Sequence, residues 1–419
     1  MKLKSIGFIA LPFLFVSLAG CKAYEPAETI DWTRESGTNE MSVALRSPDD
    51  AASLALVGNL RLNMQRLKAA GAANIAKETG WWEDPELDFD ILRIIESSEN
   101  PFLGGANVKF TIPLSGAPKA ARKAAEAFHA AELQRIKAAE KIVSAEAKRI
   151  ALALCFNRKK IDMLEAYKKD ADILLAVSSA EKLHQAGEYT LVDFNGIKRQ
   201  EHAREHERME LEDEREELEN AFRSLAGLHP ETKIRIMFAP PAPPAAKPAA
   251  PDILSLAGHV EVKAALADLE CSEAELKTEI LKQYPELKIG PLAGNEEGKD
   301  RIGVVAGITL PLWNRNRKAI AEAESARDEA RLGAVDTWKN LAMEAYAVHA
   351  RLVKLLNHPP PPAGEAEYAK KLFSAGELSP LDYLAAREAI LTVDLENVSW
   401  ESAVAAANAE LEKYVPENP

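Results

Sequence analysis

The pattern best suited to catalysis in this chain is His202-Ala203-Arg204-Glu205-His206. It matches the H-x-x-E-H pattern of some zinc peptidases, in which two imidazoles one helical turn apart share a face and bind the metal. The pattern lies within residues 201–219, which are charged on every face and place no pocket-forming apolar residues around the histidines. This composition favours a solvated helix surface over a zinc site.

Other catalytic patterns are missing from the sequence. No glycine-rich phosphate loop and no Gly-x-Ser-x-Gly sequence occurs. We therefore predict that the protein is not an enzyme, with no catalytic residues, no metal site and no cofactor.

Two carboxylates follow two glycines at the same distance. Asp193 lies six residues after Gly187, and Asp382 lies six residues after Gly376. Glycine commonly ends a helix in the left-handed conformation, so each pair predicts a helix reversal. The aspartates could cap the helices that begin beside them, or they could form a cation-favouring carboxylate ring if copies of the chain surround one opening.

The first of the three cysteines directly follows a predicted secretory signal. Lys2 and Lys4 precede an apolar run from Ile6 to Val16, which is too short to span a membrane as a mature helix. The following Leu18-Ala19-Gly20-Cys21 resembles the bacterial lipobox, which implies removal of residues 1–20 and lipidation of Cys21. By the same resemblance, Lys22 in place of Asp favours the outer membrane, where acyl chains would hold the protein in the lipid.

The remaining cysteines and the charge exclude further classes. Cys155 and Cys271 have no zinc-like spacing and are predicted to be packed thiols rather than a disulfide. The formal charge of −13 becomes about −15 when Lys2 and Lys4 leave with the signal. Such an acidic chain argues against nucleic acid as a partner.

Several sequence motifs occur twice in the chain, in the same order. Pro85-Glu86-Leu87 returns as Pro285-Glu286-Leu287, and Ile112-Pro113-Leu114 returns as Leu310-Pro311-Leu312. The turn Ala186-Gly187-Glu188 returns as Ala375-Gly376-Glu377. Echoes in the same order predict a duplicated unit of strand, strand, long helix, turn and helix.

The resulting organisation has five parts. A polar tether follows the signal, and a Pro/Ala linker separates two repeats. The predicted bounds are 1–20 for the signal, 21–48 for the tether, 49–238 for the first repeat, 239–251 for the linker and 252–415 for the second repeat.

Within the repeats, period-two alternation predicts strands near 87–95 and 106–114, and the duplication predicts the corresponding strands near 286–292 and 302–312. Residues 51–78 are predicted to form a first helix. Residues 117–186 contain no glycine and predict an unbroken helix of about 105 Å. The proline run 359–362 would break the corresponding helix of the second repeat alone.

This layout resembles that of the TolC-like outer-membrane efflux proteins. Residues 308–317 are close to the strand-to-helix motif of that family and include Pro311, Asn314 and Arg315. Pro113 has the matching place in the first repeat, although Gly116-Ala117-Pro118 stands there instead of Trp313-Asn314-Arg315. The lipobox makes the chain most similar to the lipoprotein branch, which includes metal-cation exporters.

The resemblance implies a mainly α-helical chain with a small membrane β part. It also implies a homotrimer whose helix turns form a periplasmic tip, where a periplasmic adaptor (membrane fusion) protein docks and the channel is gated. An inner-membrane pump would connect through that adaptor. The tip residues implied are Gly187, Glu188, Asp193, Gly376, Glu377 and Asp382.

The strands support the same assembly on physical grounds. Two hairpins of about ten-residue strands with one apolar face have the length to cross a bilayer when tilted. Four strands leave two open edges, which lipid does not satisfy, so three chains would close a shared 12-stranded β-barrel that continues a trimeric α-helical barrel.

We therefore expect the outer-membrane channel of a tripartite efflux pump, lipid-anchored and reaching into the periplasm. The alternative is a periplasmic lipoprotein scaffold with a helical rod and no pore. The short stretch 286–292, which contains Pro291, is the feature that favours this alternative.

Overall fold

The computed structural model describes residues 24–30, 42–93, 102–296, 299–362 and 365–414. The chain divides into two units, 1–39 and 40–419. In the first unit, residues 24–30 are exposed and form neither helix nor strand. Cys21, residues 31–41 of the tether and the loop near 97–101 lie outside the described residues.

The helices and strands among the described residues lie in the second unit. Its strands are β1 (Ser42–Leu45), β2 (Glu86–Arg93), β3 (Phe102–Pro113), β4 (Lys233–Ile236), β5 (Glu286–Glu296) and β6 (Lys299–Ile308). Its α-helices are α1 (Pro48–Gly58), α2 (Leu60–Glu78), α3 (Ala117–Lys169), α4 (Ala171–Gln185), α5 (Leu191–Ala226), α6 (Val260–Leu281), α7 (Arg317–Asn357), α8 (Ala366–Ser374) and α9 (Pro380–Lys413).

The four predicted strands form one antiparallel sheet in the order β2-β3-β5-β6. The central pair joins the two repeats, with Pro113 opposite Glu286 and Asn107 opposite Leu292. β5 is 11 residues long, so the expectation of a short strand ending at residue 292 is wrong. The sheet accommodates Pro291, which has no N–H to donate, because the register between the two strands skips Val108 and Lys109 on β3 and Gly290 and Pro291 on β5.

The long helix of the first repeat is not continuous, contrary to the prediction. It breaks at Asp170, whose backbone is extended and whose carboxylate accepts a hydrogen bond from Asp172 N at 2.9 Å. Asp170 lies 17 residues before Gly187, as Pro359 lies 17 residues before Gly376. Both repeats therefore interrupt the helix at the same distance from the turn, once by a side-chain cap and once by prolines.

The first predicted helix is also divided. Asn59 separates α1 from α2, and its side chain accepts from Leu62 N at 2.9 Å while donating to Leu225 O at 2.9 Å. The break is thus stabilised by a residue far along the chain.

A small parallel sheet was not predicted. β1 pairs with β4 from Ser42 opposite Lys233 to Leu45 opposite Ile236. Residues 42–45 therefore belong to the folded body rather than to the tether, because Leu45 packs in a buried cluster with Phe222 and Ile150. As predicted, Cys155 and Cys271 are buried free thiols.

Within the described part of the chain, no helix combines the length and hydropathy that a membrane span requires.

Candidate functional site

The turn between α4 and α5 has the predicted glycine geometry. Gly187 has a φ of 80°, and Glu188 N donates to Leu183 O at 2.9 Å, which closes the end of α4. Asp193 forms a capping box with Thr190: Asp193 N donates to Thr190 Oγ1 at 3.2 Å, and Thr190 N donates to Asp193 Oδ2 at 3.1 Å.

The turn between α8 and α9 repeats this arrangement. Gly376 has a φ of 76°, and Glu377 N donates to Leu372 O at 2.9 Å. Asp382 N donates to Ser379 Oγ at 3.1 Å, and that hydroxyl donates to Asp382 Oδ2 at 2.6 Å. Both predicted aspartates therefore support helix caps, and both are exposed to solvent along with Glu188 and Glu377.

The fold brings the two turns together around one apolar cluster. The cluster contains Tyr383, Ile173 and Ile197, with contributions from α4, α5, α8 and α9. The Tyr383 ring is fully buried and stacks on Phe373, with the ring centroids 4.3 Å apart. We call these four helix ends and their turns the tip.

Two ion pairs close to the tip were not predicted from the sequence. Arg387 Nη2 lies 2.9 Å from Asp170 Oδ2, and Lys370 Nζ lies 2.8 Å from Asp172 Oδ2. These pairs connect the break between α3 and α4 to α8 and α9. The Asp170 and Arg387 side chains are only 20% and 16% exposed, so this contact is screened less than a surface pair.

A neighbouring network connects α5 to α9. Arg204 lies 2.6 Å from Glu388 and also donates to Thr392 Oγ1 at 2.8 Å. The pKa of Tyr167 on α3 is raised, mainly by burial and to a smaller extent by the adjacent Glu388. The sequence did not predict these contacts between α5 and α9, because one charged residue on a highly charged helix does not indicate a distant partner.

The H-x-x-E-H pattern borders a groove of about 600 Å³ that is partly lined by Leu164, Ile173 and Leu384. The expectation that no apolar residues surround the pattern is therefore wrong, because α3, α4 and α9 supply them from elsewhere in the chain. Glu205 is held 2.7 Å from Arg208 and 2.9 Å from Lys168.

These contacts bear on the zinc-peptidase hypothesis. Hydrogen bonds from Arg208 and Lys168 lower the pKa of Glu205 to about 2, so this carboxylate is a poor proton acceptor. Among the described residues, no three His, Cys, Asp or Glu side chains are grouped to hold a metal ion.

In both repeats the chain turns from a strand into a long helix through residues in the left-handed conformation, but the residues differ. Gly116 has a φ of 71° before α3, whereas Arg315 and Asn316 have φ values of 44° and 54° before α7. Asn316 Nδ2 stabilises its conformation by donating to Glu279 O at 2.9 Å. Arg315 Nε donates to Pro311 O at 3.3 Å, and Asn314 O accepts from Arg317 N at 3.1 Å.

The four-stranded sheet has one apolar and one charged face. On the apolar face Phe89, Ile91 and Ile302 are 64%, 80% and 91% exposed. On the other face Lys288 lies 2.8 Å from Glu86, and Lys109 lies 2.5 Å from Asp88. Charged residues thus pair on one side while large hydrophobic residues remain uncovered on the other.

Aromatic side chains surround the end of the sheet that joins the helices. Trp82 and Tyr284 precede β2 and β5, and Trp313 follows β6; they are 61%, 55% and 86% exposed. A row of exposed aromatics at one end of an apolar band is typical of a membrane–water interface.

No protein-family model and no curated protein sequence matches the chain. Solved structures do match. A membrane protein from Pseudomonas aeruginosa is 16% identical with a TM-score of 0.69, over 88% of this chain and 93% of that chain. The outer-membrane channel OprN is 15% identical with a TM-score of 0.69, over 94% of this chain and 98% of that chain. CusC, described as forming a transmembrane channel, is 15% identical with a TM-score of 0.67, over 93% of this chain and 94% of that chain.

The chain has the fold of the outer-membrane channels. The resemblance to TolC-like outer-membrane efflux proteins is thus confirmed at the level of the fold, including its mainly helical composition and its small β part. The similar proteins are channels rather than enzymes.

Proposed function

We propose that this protein is the outer-membrane channel of a tripartite efflux pump, a passive conduit from the periplasm to the outside. The observation that carries the proposal is the four-stranded sheet, with an exposed apolar face, a charged opposite face and long helices at one end. An apolar exterior and a polar interior are what a membrane barrel around water requires. The fold shared with outer-membrane channels supports the same function.

The strand lengths argue against the scaffold alternative. β5 and β6 contain 11 and 10 residues. A tilted strand of about 9–11 residues crosses a bilayer. The short strand that favoured a rod without a pore is therefore not found, although β5 contains Pro291.

The working form would be a homotrimer. β2 and β6 form the two ends of the sheet order, so their outer backbone groups need partners in lipid. Three copies of the chain supply them by closing a 12-stranded barrel. The protein would lie in the outer membrane, with lipidated Cys21 as an additional anchor.

The tip would be the gate and the docking place for the periplasmic adaptor, through which the inner-membrane pump connects. Within one chain, the pairs Asp170–Arg387 and Asp172–Lys370 hold the start of α4 to α9 and α8. We infer that these contacts maintain a closed tip and that docking of the adaptor loosens them. In three copies, Asp193 and Asp382 would gather six carboxylates around the opening.

Conductance of the purified protein in planar lipid bilayers tests the channel function. We expect discrete conductance steps that prefer cations. A matched preparation of the chain with Gly290→Val is the control, since a Cβ at Gly290 would come within 1.6 Å of Val108 O and disrupt the sheet. Membrane-inserted wild-type protein without any conductance would favour the scaffold.

A further inference from the structure

The four helices that adjoin the sheet form a layer in the same lateral order as the strands. His129 Nδ1 of α3 lies 3.1 Å from Ala69 O of α2, and Arg135 of α3 lies 2.8 Å from Asp268 of α6. α6 also packs against α7. The order is therefore α2-α3-α6-α7, beside β2-β3-β5-β6, and the helix layer has two open faces like the sheet.

The handedness of the chain shows which face of the sheet is which in a fixed view. With the sheet above the helices and α2 on the left, the Glu286 carbonyl of β5 points right, where it accepts from Thr309 N at 3.2 Å. In an upward strand of L-residues, this direction places the Glu286 side chain on the near face, with the other charged residues of the sheet. The apolar face is therefore the far face.

The same view places two lysines of α3 on the far face. In a right-handed helix that runs downwards, Lys119 and Lys123 lie about midway between the directions of α2 and α6, on the far side. Both lysines are exposed. Within the part of the chain that the structure describes, neither lies in an ion pair. Their charges therefore continue the outer, apolar side of the sheet.

Each of the other three helices adds one cation on the same side. These residues are Lys77 at the end of α2, Lys277 near the end of α6 and Arg317 at the start of α7, all exposed. Counting from the buried faces at 100° per residue places each within about 50° of the far side. At 1.5 Å per residue, all five cations lie within about 10 Å of the helix ends next to the sheet.

Two carboxylates near this level are engaged by other cations. Glu126 lies 3.2 Å from Arg122 of the next helical turn. Glu83 precedes β2 and interacts with Lys288, which belongs to the charged face of the sheet. Neither neutralises the five outward cations, which stand out in a chain whose formal charge is −13.

The side chains change in three steps from the sheet into the helices. The exposed apolar face of the strands comes first, the exposed aromatics Trp82, Tyr284 and Trp313 come next, and the outward cations follow. A lipid leaflet has the same order, with acyl chains, an interface that favours Trp and Tyr, and charged headgroups. Each layer of side chains is thus complementary to one layer of the leaflet.

We propose that the outward cations form a collar that binds the phosphate headgroups of anionic glycerophospholipids in the leaflet next to the helices. The collar consists of Lys77, Lys119, Lys123, Lys277 and Arg317. The occupant is a lipid because the collar continues the apolar and aromatic layers that the tails of the same molecule would contact. The inference rests on the proposed outer-membrane channel and adds a lipid preference to it. In three copies the collar would surround the barrel.

Native mass spectrometry of the full-length, detergent-extracted protein tests the collar. After incubation with equal amounts of phosphatidylglycerol and phosphatidylcholine, the wild type should retain phosphatidylglycerol in excess. Lys119→Gln with Lys123→Gln should lower this ratio by about fivefold or more, since each basic residue near an anionic lipid surface strengthens binding by about that factor.

The matched control is Lys137→Gln with Lys263→Gln, which removes the same charge from exposed positions. Lys137 lies on the same face of α3 as Lys123, and Lys263 lies on the outward face of α6, as Lys277 does. Each is about 21 Å further from the sheet than that lysine. The control should keep the wild-type ratio, because these positions lie beyond the headgroup layer.

A second measurement covers the case in which lipid is lost in the mass spectrometer. Adding phosphatidylglycerol to phosphatidylcholine vesicles should raise the unfolding temperature of the wild type and the control but not of the collar variant, because a ligand of the folded state stabilises it. No effect of phosphatidylglycerol in either measurement, or an equal loss in both variants, would overturn the collar in a protein that still conducts. A wild type that neither inserts into vesicles nor conducts would overturn the channel itself.

Discussion

Asp193 and Asp382 are each the third residue of a helix, and each bonds with the hydroxyl residue that caps that helix. This geometry satisfies the capping role, but it leaves both carboxylates at the solvent-exposed tip. One residue can therefore stabilise the turn and still contribute charge to an opening between copies. Sequence spacing identified these positions because the motif is local, spanning four residues.

The helix-capping role and the contribution of negative charge can be separated by replacing each carboxylate with an amide of the same shape. Asp193→Asn with Asp382→Asn should lower the cation preference in planar-bilayer measurements, because six carboxylates would be neutralised in the trimer. Stability should fall by no more than about 0.5–2 kcal/mol, the range for helix-cap substitutions. Unchanged ion selectivity would mean that the carboxylates only cap helices.

His259 gives a residue-scale prediction of pH dependence. Its ring is fully buried, Nε2 donates to Lys413 O at 2.9 Å, and Nδ1 accepts from Glu261 N at 3.3 Å. Burial lowers the pKa of His259, opposed by the hydrogen bond to Lys413, while Lys141 and Lys413 also lower it and Glu261 raises it. The neutral ring is the one that caps α6.

Because the folded-state pKa is depressed, the unfolded chain binds the proton more tightly. Stability should therefore be highest above the unfolded value of about 6.5 and fall as the pH drops below it. Thermal unfolding between pH 7.5 and 5 should show this loss, and His259→Asn, which keeps a capping side chain, should reduce it. An equal pH dependence in the variant would assign the effect to other groups.

At the scale of elements, the sequence predicted what local pattern determines and missed what distant contacts determine. Period-two alternation and the repeated motifs indicated the four strands of the sheet. The break at Asp170 was hidden by helix-favouring neighbours, and it is held by Arg387, 217 residues away. β1 was missed because a four-residue strand in a polar segment depends on its partner β4.

The Asp170–Arg387 pair gives the element-scale prediction. Arg387→Ala removes a contact between the α3–α4 break and α9 and leaves a partly buried carboxylate without its partner. If the pair holds the tip closed, the variant should conduct several-fold more than the wild type in planar bilayers. Lys169→Ala is a matched control, because Lys169 pairs only one turn away with Glu165 and is 74% exposed.

As the proposed channel, the whole molecule would have two independent ways of being held in a membrane, whereas the alternative scaffold would have one. A scaffold without a pore depends on the lipid at Cys21. A trimeric channel is also retained by its barrel, whose apolar face is provided by residues such as Phe89, Ile91 and Ile302. Removing the lipid should therefore release a scaffold from the membrane but leave a trimeric channel in it.

In Cys21→Ser, labelling with a radioactive fatty acid should disappear, because Cys21 ends the only sequence in the chain that resembles a lipobox. We expect the unlabelled protein to remain in the outer-membrane fraction after washing with high salt and carbonate, since burial of the sheet's apolar face does not depend on the acyl chains. Its mass in mild detergent should remain that of a trimer, because the edges at β2 and β6 still require partners. Release of the variant as a soluble periplasmic monomer would show that the lipid alone holds the chain, which is the behaviour of the scaffold and not of the channel.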